Sequence, residues 1–398
     1  MANSLQLTSF QKKAVFWLSL LIMPIAGSGI YLYVPSLPAI AKELQVQAGF
    51  AELTVVVYVL GLGLPQIFFG IWSDFIGRRR LLLPALAAFF VVTFLIPFSP
   101  NIYVLLSLRF LQGVIVAVPE VLIKTLMSDT FTGAELDKNA NYLVMSWSIG
   151  PILMPILAVY LKQAFGGSFP FFFLAFYGLV SFLLSLFFLP ETSPPMKEIS
   201  LKKRLKSYKQ ILSSRVFLSA IVCLVAVYSI VAIFNSIGPF LVQNLLKESS
   251  TAYGRLAFVL GISWLIGNLA NRFHARRNNL DKALVYRMFF LIVVSAAMAL
   301  LGLFAIKNYW ALVLPMALLF YAAGLIFPRL FAMVLGLFPE LAGGAAAIFG
   351  TLIMIGGSFT TGMAAFLKTN SLLPLSLTYI VLSLIFAVVY WLGVRHKV

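Results

Sequence analysis

A chain of 398 residues with 62% hydrophobic and 10% charged side chains lies far from the soluble pattern, in which about 25% of residues are charged. Its mean hydropathy of +1.01 makes hydrocarbon the expected solvent. The net charge of +17 fits Lys and Arg gathered in cytoplasmic loops, so no nucleic-acid partner is expected, and a single cysteine, Cys223, excludes disulfides and thiolate metal sites.

In chain order, Lys12 and Lys13 precede an apolar stretch that runs to about Tyr33 without a small-residue cleavage site. This predicts an uncleaved first span rather than a signal peptide. Runs of about 20 apolar residues are long enough to cross a bilayer core, and twelve occur, at 14–34, 53–73, 81–99, 102–126, 140–163, 169–189, 215–243, 253–272, 283–305, 309–338, 343–367 and 373–393. Backbone amides in lipid need internal partners, so each run must be a helix. The expected fold is an all-α polytopic membrane protein. With the N-terminus in the cytoplasm, twenty of the 29 Lys and Arg fall on that side and six outside, while Arg109, Lys124 and Arg329 stay within spans. That asymmetry places both termini in the cytoplasm.

The segment "PETSPPMKEISLKKRLKSYKQILSSR" (190–215) separates six spans from six. The expected organisation is an N-terminal six-helix bundle (1–189), a basic linker (190–214) and a C-terminal six-helix bundle (215–398). Within the linker Leu201, Leu205, Tyr208 and Leu212 recur at the spacing of an amphipathic surface helix. "GIWSDFIGRRR" (70–80) is echoed by "GNLANRFHARR" (267–277), which matches Gly70 and Asp74 with Gly267 and Asn271 across about 197 residues. A parallel repeat of six spans predicts two pseudo-symmetric bundles, with a binding site where the repeats face each other.

These residues resemble the major facilitator superfamily. "GIWSDFIGRRRLLL" is similar to its loop between helices 2 and 3, and "RFLQG" (109–113), followed by Asp129, to its helix 4 signature. "YVPSLPAIAKEL" (33–44), "NSIGPFLVQ" (235–243) and "LFPELAGGAAAIFG" (337–350) resemble twelve-helix drug:proton antiporters of the bicyclomycin-resistance (Bcr/CflA) branch. The resemblance implies alternating access, proton-coupled efflux of drugs or metabolites, and residence in the bacterial inner membrane, with a monomer as the default. It also implies a conformational latch of Gly70, Asp74, Gly77, Arg78 and Asp129. There Asp74 would accept N–H groups from a helix N-terminus and Arg78 would reach the acidic loop of Asp129, Glu135 and Asp137. A helix 5 hinge is expected at Gly150, Pro151 and Pro155, although Met154-Pro155 stands where relatives have paired glycines. Tyr31 occupies a helix 1 position that is acidic in many relatives.

Charges inside spans are costly, so they usually face water or one another. Glu120 reads as the one acid well inside a span, with Glu52 and ten others at span ends or in loops. By elimination it is the expected proton carrier. Its i, i+4 spacing to Lys124 equally permits a static ion pair, and a cargo contact is a third reading. Arg109, Lys124 and Arg329 outnumber Glu120 and would favour anionic cargo such as a carboxylate siderophore, whereas the family resemblance points to neutral drugs. Arg109 alternatively serves as a donor to backbone carbonyls. Tyr31, Tyr33, Asn235, Gln243 and Asn268 are further cavity candidates, each with a helix–helix hydrogen bond as the alternative. No H-E-x-x-H or P-loop sequence is present, so neither a metalloenzyme nor an ATP-driven pump is indicated, and no metal or cofactor is expected.

Overall fold

A computed structural model describes residues 7–192, 201–274, 280–304, 308–338, 341–367 and 370–395. Side chains at 201–205, 272–274 and 280–283, and those of Asp74, Ala134, Asp137, Asn141, Ala342 and Gly343, lie outside that description. Twelve helical spans are long and apolar enough to cross a membrane: Ser9–Glu43, Ala48–Ser73, Arg78–Phe98, Ile102–Thr130, Lys138–Phe165, Phe169–Phe188, Arg215–Leu245, Ser250–Asn271, Leu284–Leu303, Tyr309–Gly336, Gly344–Ala364 and Leu373–Gly393. We number them spans 1 to 12. Large apolar side chains such as Phe176, Phe187 and Leu392 point outward, as expected where lipid replaces water.

Two compact units emerge. Unit 1 comprises Met1–Tyr33 with Val57–Ser200, and unit 2 comprises Val34–Val56 with Leu201–Val398. The stretch joining spans 1 and 2 therefore packs with the second half of the chain. In the linker, helix Leu201–Leu212 buries Ile211 and leaves Leu212 43% exposed. Its Tyr208 ring lies against Gly344 of span 11.

Several spans are interrupted at proline, which lacks an N–H and clashes with the preceding turn. Span 1 breaks between Ser9–Ile22 and Ile25–Tyr31 at Pro24. The carbonyls released there are taken up by neighbours: Ser146 of span 5 donates to Leu20 O at 2.5 Å, and the Tyr177 hydroxyl of span 6 donates to Leu21 O. Span 10 contains Pro328, which releases Gly324 O. Asn268 of span 8, with its amide turned to accept from Trp264 Nε1 at 2.7 Å, donates to that oxygen at 3.0 Å. Arg287 of span 9 donates to the next carbonyl, Leu325 O, at 2.8 Å. In hydrocarbon such side-chain donors stand in for the missing helical N–H.

In each unit a close helix crossing joins equivalent spans. In unit 1, Gly61 of span 2 lies against Phe110 O and Gly113 of span 4 against Tyr58 O. In unit 2, Gly267 of span 8 lies against Tyr321 O and Gly324 of span 10 against Trp264 O. Helices in lipid associate chiefly by packing, and small residues let backbones touch. A side chain at either crossing would meet backbone, which has no rotamer to yield. Gly113→Leu should therefore abolish the monodisperse peak of detergent-purified protein in size-exclusion chromatography. Gly167→Ala, in a position with nothing within 4 Å, should elute as wild type. A normal profile for Gly113→Leu would contradict the crossing.

Candidate functional site

In unit 1, Arg109 is 1% exposed. Its guanidinium is held between two phenol rings, 4.1 Å from the Tyr33 centroid and 4.3 Å from that of Tyr58. It donates to Gly29 O at 3.0 Å and to Gln112 Oε1, and Gln112 in turn donates to Thr93 Oγ1 of span 3 at 2.8 Å. Gly29 O is available because Tyr33 N bonds Ile30 O instead, where span 1 leaves α-helical geometry. The Tyr58 hydroxyl donates to Ala26 O at 2.8 Å. Arg109 thus clasps spans 1, 2, 3 and 4, and a buried cation over aromatic faces gains about 2 kcal/mol. Tyr58 and Thr93 carry no sequence signal for this role. Gln112 does, as a member of "RFLQG".

Glu120 follows on span 4, one residue after Pro119. Lys124 Nζ donates to its Oε1 at 2.7 Å, the lysine side chain being 55% exposed and the acid 11%. Its other oxygen, Oε2, is buried and has no hydrogen-bond partner among the described residues. Tyr58 lies within electrostatic reach of both Arg109 and Glu120. Glu120 is not alone among interior acids, which corrects the elimination made from the sequence. Helix Ala48–Gly63 starts before Glu52 rather than after it, and Glu52 is 1% exposed with an unpartnered Oε2.

At the far end of span 2, Gly77 ends helix Gln66–Ile76 and begins Arg78–Leu95 with φ +100°. Arg78 Nε donates to Asp129 Oδ2 at 3.1 Å, and Nη1 donates to the Ser73 hydroxyl. The carboxylate at the start of the third span is that of Glu191, which accepts Arg78 N at 2.9 Å. Thr192 Oγ1 donates to Asp129 at 3.4 Å. Glu191 and Thr192 belong to the "PET" that reads in sequence as the opening of the linker. The Asp74 side chain lies outside the described residues, and Gly70 sits against Val121.

The remaining expected groups are dispersed. Tyr31 is buried. A Cβ on Gly150 would lie 3.2 Å from the backbone of Gly27 in span 1, and the break in span 5 falls at Ser148, between Gly133–Trp147 and Ile149–Phe165, with Pro151 and Pro155 beyond it. In unit 2, Asn235 is buried, Gln243 donates to Pro35 O at 3.4 Å, and Asn268 serves the span 8–10 crossing. Arg329 is half-buried. Asn271, the counterpart of Asp74, accepts from Arg287 at 2.9 Å. Among the described residues no group of three or more metal-ligating side chains occurs.

Twelve spans, a repeated glycine crossing and ionisable groups turned inward define a polytopic membrane carrier. The Major Facilitator Superfamily model matches residues 19–361, and the chain belongs to that family of transporters. It is a secondary transporter of small molecules. Multidrug resistance protein D of Escherichia coli (strain K12) is 26% identical over 384 residues, covering 95% of this chain and 94% of its own length. A bicyclomycin resistance protein homolog of Haemophilus influenzae is 27% identical over 174 residues, 44% of each chain. The crystal structure of the human organic anion transporter MFSD10 (TETRAN) superposes with a TM-score of 0.65 at 17% identity, over 96% of this chain and 99% of that one. At that identity the likeness is one of fold.

A Cβ on Gly77 would meet Glu191 Oε2 at 2.8 Å and force a backbone conformation that L-residues rarely adopt. Gly77→Ala should therefore cost about 1–3 kcal/mol, read as a lower melting temperature in detergent. An unchanged melting temperature would contradict the geometry of this turn.

Proposed function

We propose that the chain exports drug-like small molecules across a bacterial inner membrane in exchange for protons, with both termini in the cytoplasm, and that Glu120 carries the proton. The observation that carries this reading is the half-used carboxylate of Glu120. One oxygen is held by Lys124, while the other is buried with no donor among the described residues. Protonation of Glu120 removes the charge that holds Lys124, and that lysine is exposed enough to swing away. Deprotonation re-forms the pair. The proton gradient supplies ~2.3 kcal/mol per charge per 100 mV and ~1.4 kcal/mol per pH unit. Multidrug resistance protein D, aligned over nearly the whole chain, supports drugs as the cargo class.

An anionic cargo is not favoured. It rests on a surplus of interior cations, yet the two terminal nitrogens of Arg109 donate to an amide and a carbonyl between two rings, and Lys124 is paired with the acid. Arg109 is then a clasp that fixes span 4 beside Glu120, and Tyr31 within unit 1 and Asn235, Gln243 and Arg329 within unit 2 are left as cargo-contact candidates, each in its own unit. The Arg78–Asp129 pair, with Glu191 and Thr192, acts as the latch that closes the cytoplasmic end. The break at Ser148, with Gly150, Pro151 and Pro155 just beyond it, serves as the hinge of span 5.

In reconstituted vesicles Glu120→Gln should reduce gradient-driven accumulation of a drug substrate to background while leaving counterflow close to wild type. Uphill transport at the wild-type rate in that variant rules out the assignment.

A further inference from the structure

Glu52 is an acid that the proposed proton path does not use. It sits near the start of span 2, about 30 Å along the helix from the latch at Ser73–Arg78, within the Val34–Val56 stretch that packs with unit 2. Gly49 and Val56 share its face of the helix by i−3 and i+4 spacing. A Cβ on Gly49 would lie 2.6 Å from Ala365 O, and Val56 Cγ1 lies 3.4 Å from the Cβ position of Gly362. That face therefore looks onto the last turn of helix Ala342–Ala364, whose carbonyl end carries partial negative charge. The Glu52 side chain is 1% exposed and, among the described residues, no donor reaches its buried Oε2.

The ionisable surroundings are sparse. Span 11 contains no ionisable side chain between Gly344 and Ala364, and Lys368, which follows it, lies outside the described residues. Spans 7 and 8 bring Cys223, Tyr228 and Tyr253 to the interior. Lys42, Glu43, Lys247, Glu248 and Arg255 are all exposed to solvent or lipid. A carboxylate in such a place, facing a helix carbonyl end and with no cation beside it among the described residues, is far costlier than its neutral acid.

We infer that Glu52 is a second proton-binding site, protonated while Val34–Val56 packs on span 11 and released to water when that packing opens. Proton binding then favours the packed arrangement. Its hold is complete at low pH and is lost as pH rises through the packed-state titration, because the opened state binds the proton less tightly. This goes beyond the assignment of Glu120 and does not depend on it.

Infrared spectra of the purified full chain, combined with distances between spin labels at Gln47→Cys and Ser249→Cys in a Cys223→Ser background, test the inference. The wild type should show a protonated-carboxyl C=O band at neutral pH and a label distance that changes as pH rises. Glu52→Gln, an isostere of the neutral acid, should fold at least as stably, lose that band and hold one pH-independent distance distribution. Glu120→Gln should keep the Glu52 band, which separates this inference from the one above. A band and a pH response that survive Glu52→Gln overturn it. So does failure of Glu52→Gln to fold, because that would show the packed state requires the charge.

Discussion

A backbone carbonyl inside hydrocarbon has to find a donor within the protein, and this requirement organises the whole interior. Span 1 is broken at Pro24 and span 10 carries Pro328 within a continuous helix, and each proline releases carbonyls. Ser146, Tyr177, Asn268 and Arg287 reach across from neighbouring spans to meet them. Arg109 does the same where span 1 loosens at Gly29. A helix interruption that lets a span bend is thereby also a point of attachment.

The same requirement divides the buried charges into two kinds. Arg109 and Arg287 donate through their terminal nitrogens to carbonyls and amides, and they hold the scaffold, although Arg109 Nε has no partner among the described residues. Glu120 and Glu52 each retain an oxygen without a donor among the described residues, and an acid in that condition has capacity for a proton. Span 4 links the two kinds along one axis. Arg109 anchors it, Glu120 follows about 16 Å on, and Asp129 closes it on Arg78 a further ~14 Å away. In the proposed mechanism a change of charge at Glu120 acts on a helix held by Arg109 at one end and by the Arg78–Asp129 pair at the other.

Much of this was legible in the sequence where the signal is local. Apolar run length found twelve spans. The i, i+4 spacing paired Glu120 with Lys124, and the motif after span 2 brought Arg78 to Asp129. Features that depend on tertiary approach were not legible. Tyr58 and Thr93 are ordinary span residues until folding sets them against Arg109 and Gln112. Glu191 reads as the start of a linker, yet it caps the helix at Arg78. Glu52 misled in a specific way, because a charge at the edge of an apolar run normally marks its boundary. Here the helix continues past it and packs that face on span 11.

The central claim is that cargo and protons exchange across the membrane through this one chain. The most direct measurement is proton movement itself: a pH-sensitive dye enclosed in vesicles containing the purified protein, with a drug substrate added on one side and no imposed gradient. The account predicts a substrate-dependent change in internal pH, opposite in direction to drug flow and abolished by a protonophore. Drug flow with no accompanying pH change would contradict it.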